Sequence, residues 1–222
     1  FKHVVCISEG VKKAFELVLG WSNDKALVIN NGVDLSRFSM QERKIEALRF
    51  PIKIGMVGRL VKQKDIETLI KALKELGSGY ELHLAGDGEL REKLENLVVD
   101  LDLKHQVYFH GQVSDIPYFL DSIDIYVQSS NWEGFGLAVV EAMAAGLPCF
   151  ATNVEGLNDV VDSAYLFEVG DIVQLTSLIL AVTTSITTYN DMSTLAIKSA
   201  YGFSIEKSAQ RHTKLYSTLL GN

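Results

Sequence analysis

The chain is predicted to be an α/β protein built on a doubly wound parallel sheet of the Rossmann-like kind. Three observations carry that expectation. Short apolar runs alternate along the chain with longer amphipathic ones, the order that repeated strand–helix units produce. The apolar runs, IKIGMV at 52–57 and IDIYV at 123–127 among them, have no wet face, so each needs a helix layer on both sides, with right-handed crossovers between parallel strands. Finally, several strand-to-helix turns combine glycine with charge, at 58–65, 86–88 and 131–136, where an open parallel sheet collects its ligands.

Taken in order, the apolar runs predict strands at 3–7, 26–29, 52–57, 81–85, 107–109, 123–127, 149–152 and 165–167. Apolar residues recurring at helical spacing predict helices at 9–19, 66–76, 89–101, 116–120, 137–145, 157–161, 172–183, 192–199 and 205–219. Asp65 stands where it can cap the second helix. In the last one Ile205, Ala209, His212, Leu215 and Leu219 form a stripe expected to pack rather than face water. The most charged connector, SMQERKIEALRF at 39–50, is expected to be a linker between an N-terminal remnant, 1–38, and the main domain, 51–222. Phe1 runs straight into an apolar strand with no initiator Met or polar lead-in, which suggests a piece of a longer polypeptide.

Composition narrows the function classes. Of 222 residues, 47% are hydrophobic and 22% charged, enough for a large buried core. A formal charge of −7 argues against nucleic acid or an anionic membrane as partner. Cys6 and Cys149 each lie in an apolar run, so two buried thiols are expected rather than a disulfide. No apolar stretch approaches the ~18 residues that span a bilayer, and a cytoplasmic protein is expected. The five histidines show no ligand spacing with the cysteines, so no metal and no cofactor is expected. His83 and His110 read as core or strand-end residues. Phosphate-loop, dinucleotide-binding and nucleophile-elbow motifs are missing, which disfavours nucleoside triphosphatases, nicotinamide dehydrogenases and serine hydrolases.

The stretch NWEGFGLAVVEAMAA at 131–145 carries the main functional signal. It leaves a strand end and enters a helix, whose unpaired N–H groups and partial positive charge suit an anion. Gly134 and Gly136 keep the turn low. With the helix starting near Gly136, Glu141 lies about 7 Å along the axis at about 1.5 Å per residue. A phosphate group over the amides of Phe135, Gly136 and Leu137 would then have one hydroxyl-bearing ring at Glu133 and another at Glu141, the layout of a nucleotide sugar. Packing and the helix dipole account for the same residues without a ligand.

Other loops on the same sheet edge add to it. In GMVGRLVKQKD at 55–65, Arg59 offers a planar fork of donors and Lys64 a point charge, two complementary ways to hold a diphosphate, while Gly58 lets the loop bend beneath it. A solvated basic turn is the alternative. NNGVD at 30–34 is a site loop or a plain turn, and the glycines of GDG at 86–88 read as structural. The segment 111–114, Val113 included, can present backbone groups to a base or be an ordinary loop.

These residues resemble the retaining glycosyltransferases of the two-domain GT-B architecture, glycosyl transferases group 1 (family 4-like). Four motifs match in order: N-G-V-D at Asn31 to Asp34, G-R-L-x-x-x-K at Gly58 to Lys64, G-D-G at Gly86 to Gly88, and E-x7-E from Glu133 to Glu141 with E-G-F-G-L inside it. The resemblance covers nearly the whole chain but only the second, donor-binding half of a typical family member. It implies that Arg59 and Lys64 hold the donor diphosphate, that Glu133 meets the donor sugar and Glu141 the ribose, and that amides of residues 135–137 face sugar and phosphate. It also implies a UDP- or GDP-sugar as donor substrate, an N-terminal acceptor domain as partner, and, for the full-length protein, any peripheral membrane contact through that other half. Polysaccharide or glycolipid biosynthesis is the implied setting. A sugar-nucleotide epimerase, a phosphorylase and a non-catalytic nucleotide-binding module are the alternatives. The chain departs from the family pattern at 155–159, where E-G-L-N-D replaces a Gly-Gly turn with Pro and Glu, so Glu155 is expected to crowd the sugar pocket. It departs again at Asp65, where Gly is common.

Overall fold

The computed structural model describes residues 3–20 and 26–221. Two parallel strands, β1 (Val4–Cys6) and β2 (Ala26–Val28), are joined through α1 (Glu9–Leu19). The main sheet holds β3 (Ile52–Val57), β4 (Tyr80–Ala85), β5 (Val107–Gly111), β6 (Ile125–Gln128), β7 (Cys149–Thr152) and β8 (Leu166–Phe167), in the order β5-β4-β3-β6-β7-β8 with every pair parallel. The strand order reverses between β3 and β6, so the loops leaving those two strands flank the crevice where such sheets bind ligands.

Helices α2 (Ile66–Leu76), α3 (Arg91–Asp100) and α6 (Ile172–Thr183) share one core with the even-numbered side chains of β3 and β4. On the other face α4 (Ile116–Asp121), α5 (Leu137–Ala144) and the C-terminal part of α7 (Ile186–Ala200) enclose a second core with Tyr126, Cys149 and Ala151. Both cysteines are buried and free. Among the described residues no single helix is long and apolar enough to cross a membrane.

Several expectations are corrected. Residues 157–161 form no helix: Gly156 sits at φ +89°, and 154–161 close as a run of short turns, Leu157 and Asn158 both donating to the Val154 carbonyl. The strand expected at 165–167 shrinks to two residues, because Ser163–Tyr165 is a 3-10 turn capped by Asp162. The helix expected at 192–199 starts six residues earlier, where Ser185 accepts from the Thr188 N–H; its first turn, ITTY, is poor in strong helix formers and hid it. The final helix, α8 (Ile205–Leu220), fully buries none of its residues: along its apolar stripe His212 and Leu215 are half-buried, while Ile205, Ala209 and Leu219 are exposed. Asp65 does stand at the start of α2, but in the left-handed region (φ +44°) and without capping a backbone N–H; its Oδ2 accepts from the Thr68 hydroxyl at 2.6 Å.

Residues 39–50 hold no helix or strand, yet they follow the surface of the main domain. Arg43 is the anchor. Its guanidinium donates to the carbonyls of Ile123 (2.6 Å), Leu120 (2.8 Å) and Ala145 (2.9 Å), and its own N–H donates to Ser193 Oγ (2.7 Å). One side chain thereby satisfies carbonyls at the ends of α4 and α5 that helix geometry leaves open.

Candidate functional site

The loop after β3 lies on a glycine bed. Gly58 N–H donates to Ala85 O at 2.9 Å and Leu60 N–H to Asp87 O at 3.0 Å. A Cβ on Gly86 would stand 1.9 Å from the Gly58 carbonyl oxygen, and one on Gly88 would stand 2.5 Å from that of Leu60. The G-D-G turn is therefore a close-packing device, as its structural reading expected. Beyond it, the 3-10 turn Lys62–Lys64 is strapped to the loop after β6. Asn131 N–H and Nδ2 donate to Gln63 O and Lys62 O, each at 2.7 Å; Gln63 Nε2 donates to Trp132 O at 3.0 Å, and Ser129 Oγ to Lys64 O at 3.0 Å.

That strap fixes Lys64 against Glu133. The two form an ion pair, each side chain 14% exposed. The sequence pattern assigns each of them a ligand group, and nothing in the spacing of residues 64 and 133 signals that they pair. Arg59 is different: it is exposed, and among the described residues its guanidinium has no partner.

Gly136 is the N-cap of α5 at φ +89°, and a Cβ there would lie 2.6 Å from Leu157 Cδ2. Gly136 thus suits its place on two counts, handedness and space, whereas a Cβ on Gly134 would meet only Ile7, at 3.6 Å. Phe135 turns its ring into the core against Phe203, which leaves its backbone at the surface of the crevice. Glu141 sits one turn into the helix. Burial raises its pKa, and the attraction of Arg37 opposes that. Among the described residues no group hydrogen-bonds its carboxylate.

Arg59, Lys64, Glu133 and Glu141, with Gly58 and the 134–137 turn, line one open cleft of about 480 Å³. A neighbouring depression of about 380 Å³ contains Val113 and shares Gly58 and Arg59 with the cleft, so Val113 lies beside the cleft rather than in it. Asn31 from the N-G-V-D turn reaches the cleft wall, as do Ile7 and Gln128. Gly32 serves packing, since its Cβ would stand 2.5 Å from Ile205 Cα. Glu155 corrects an expectation: its Oε1 accepts from Lys13 Nζ at 3.1 Å and its Cβ covers Gly10, so it turns to α1 and does not line the cleft. Asp159 does likewise, accepting from Glu9 N–H at 2.8 Å.

Arg59, Lys64 and the start of α5 thus line one cleft together with the carboxylates of Glu133 and Glu141. Residues 40–199 match the model of the family described as glycosyl transferases group 1. The chain is 33% identical over 215 residues, 89% of its length, to the UDP-Gal:alpha-D-GlcNAc-diphosphoundecaprenol alpha-1,3-galactosyltransferase of Escherichia coli, of which it covers 55%. It is 34% identical over 154 residues to the lipopolysaccharide core biosynthesis glycosyltransferase LpsE of Rhizobium meliloti, covering 69% of this chain and 44% of that one. The chain thus spans about half the length of these curated relatives. Anabaena Alr3699/HepE, solved in complex with UDP and glucose, superposes with a TM-score of 0.88 at 24% identity, over 98% of this chain and 63% of its own. Such a likeness speaks for the fold, the Rossmann-like sheet of GT-B glycosyltransferases. By its matched residues and its architecture, the chain belongs to the glycosyl transferases group 1 family.

Proposed function

We propose that this chain is the donor-binding half of a glycosyltransferase that moves a sugar from a nucleoside-diphosphate sugar to a polysaccharide or glycolipid acceptor, with retention of anomeric configuration. UDP is the favoured nucleotide, supported by the UDP-sugar named for the Escherichia coli relative and the UDP bound to the Anabaena neighbour. The single observation behind the reading is that Arg59, Lys64, Glu133, Glu141 and the N-terminus of α5 converge on one cleft at the strand-order reversal.

As the glycosidic bond breaks, negative charge grows on the departing diphosphate. Arg59 supplies a planar pair of donors to it, Lys64 a compact cation, and the first amides of α5 a fixed dipole. Glu133 takes hydroxyls of the donor sugar and Glu141 those of the ribose, while the base rests in the depression beside Val113. An N-terminal half brings the acceptor across the cleft.

Isothermal titration with UDP, GDP and ADP, then with their sugars, tests the site. Binding of one nucleotide that is lost in Arg59→Ala is expected; no affinity for any of the three overturns it. Proton NMR of the product's anomeric signal in the full-length enzyme tests retention, and an inverted product overturns that part.

A further inference from the structure

Strand β6 and its exit carry three polar side chains in a row: Tyr126, Gln128 and Ser130 are each 1% exposed or less. Alternate residues of a strand share a face, and this row runs toward Glu133. Tyr126 Oη accepts from Val57 N–H at 3.4 Å; its own proton has two acceptors, Gln128 Oε1 at 2.8 Å and Val57 O at 3.4 Å, and the nearer one continues the row. Gln128 Nε2 then donates to Ser130 Oγ at 2.9 Å, and the Ser130 hydroxyl to Glu133 Oε2 at 3.4 Å. Because Ser130 Oγ already accepts from Gln128, its proton is left for the carboxylate. The other carboxylate oxygen, Oε1, accepts from Gly134 N–H at 3.2 Å. Donors polarised toward their end favour an anion there and resist its rotation.

We propose that Glu133, pinned by the Tyr126–Gln128–Ser130 row, is a fixed negative charge that makes the cleft select nucleotides carrying a sugar over the bare nucleoside diphosphate. This rests on the donor site proposed above and deepens it. A phosphate at Lys64 competes with Glu133 for the three N–H donors of one ammonium. A mobile carboxylate would then turn to water, whereas a pinned one stays beside the incoming ligand with its cation shared. A sugar answers it with hydroxyl donors. A bare diphosphate adds only like charge beside the carboxylate, which weakens binding. Tyr126 and Ser130 act through Glu133, so they are positioning residues, while Gln128 also reaches the cleft wall.

The experiment is calorimetry on the full-length protein with the tightest of UDP, GDP and ADP and with that nucleotide's glucose and galactose conjugates. The readout is the ratio of Kd for the bare nucleotide to Kd for the better conjugate. Glu133→Gln is expected to tighten the bare nucleotide about tenfold and collapse the ratio, the size of one charged hydrogen bond. Ser130→Ala and Tyr126→Phe are expected to narrow it about threefold, and Ser130→Thr, which keeps the hydroxyl, to preserve it. A purely structural role for the row would shift both ligands together. A ratio unchanged in Ser130→Ala and Glu133→Gln overturns the inference and leaves the donor site standing. No nucleotide binding by the unsubstituted protein overturns the donor site, and this inference with it.

Discussion

The Lys64–Glu133 pair should be measurable as a coupling energy in the unliganded protein. Replacing Lys64 by Met leaves a carboxylate that is only 14% exposed, with the Gly134 N–H at 3.2 Å and the Ser130 hydroxyl at 3.4 Å as its remaining donors. Breaking a fully buried pair costs about 3–5 kcal/mol, and an exposed pair is worth about 0–1 kcal/mol. The intermediate burial places Lys64→Met at about 2–3 kcal/mol of lost stability. Glu133→Gln leaves the ammonium, whose longer stem can turn toward water, so its cost is smaller, about 1 kcal/mol. With both substitutions no charge is stranded, and the double variant is expected to be less destabilised than the sum by about 2 kcal/mol. Urea unfolding of the four proteins, followed by tryptophan fluorescence with Trp132 in the strapped loop, gives all the needed values from midpoints at constant slope. A coupling under about 0.5 kcal/mol refutes the reasoning, since it would mean that the two heads are solvated separately.

Arg59→Ala, by contrast, removes an exposed side chain with no partner among the described residues, so stability should change by less than about 0.5 kcal/mol while nucleoside-diphosphate affinity falls about 100-fold. In the full-length enzyme kcat and kcat/KM should fall together, because leaving-group charge is largest in the transition state; a pure KM effect refutes this. Gly86→Ala places a Cβ 1.9 Å from the Gly58 oxygen at a φ of +143° and should cost about 3 kcal/mol or more, read as a lowered Tm; a change under about 1 kcal/mol refutes the close-packing role. Glu141 has its pKa raised by burial, so its neutral form is favoured by folding, and the stability it contributes is complete below the ordinary glutamate value of 4.5 and lost as pH rises through the higher folded value. Glu141→Gln should therefore stabilise the unliganded protein at pH 7, with the gain fading by about pH 4, and equal stability at both pH values counts against it. His83 and His110 share one hydrogen bond at 3.0 Å, and burial lowers both pKa values; stability from the pair is complete above 6.5 and lost as pH falls through the lower folded values, so urea midpoints should drop on acidification from about pH 6.5 to 5, and a flat profile there refutes it.

The long periodic segments were legible because their patterns are local. Residues 66–76 and 172–183 are helices within their expected bounds, and 52–57 and 149–152 are strands within theirs. Misreadings fell where a tertiary contact overrides the pattern. At 157–161 an apolar spacing that suits a helix is broken by Gly156, whose backbone is left-handed and on which a Cβ would stand 2.5 Å from the Glu133 carbonyl oxygen. Glu155 is expected in the sugar pocket because it stands where the family pattern has a Gly-Gly turn, yet Lys13, 142 residues away, draws it to the other side. The stripe on α8 is real as a pattern, but a pattern does not say what covers it. Polar residues at 126, 128 and 130 in a strand otherwise apolar were a visible signal of the row behind Glu133, and only a period-of-two reading of β6 would have found it.

By itself the sequence determined the fold class and which strand-end loops combine glycine with charge, because apolar alternation, glycine placement and charge type act over a few residues at a time. Only the tertiary structure decided which groups meet. The reversal of strand order between β3 and β6 brings residues 59 and 64 beside 133 and 141. Coulomb attraction and hydrogen bonding then pair Lys64 with Glu133 across 69 residues of chain, a separation over which no local pattern reaches.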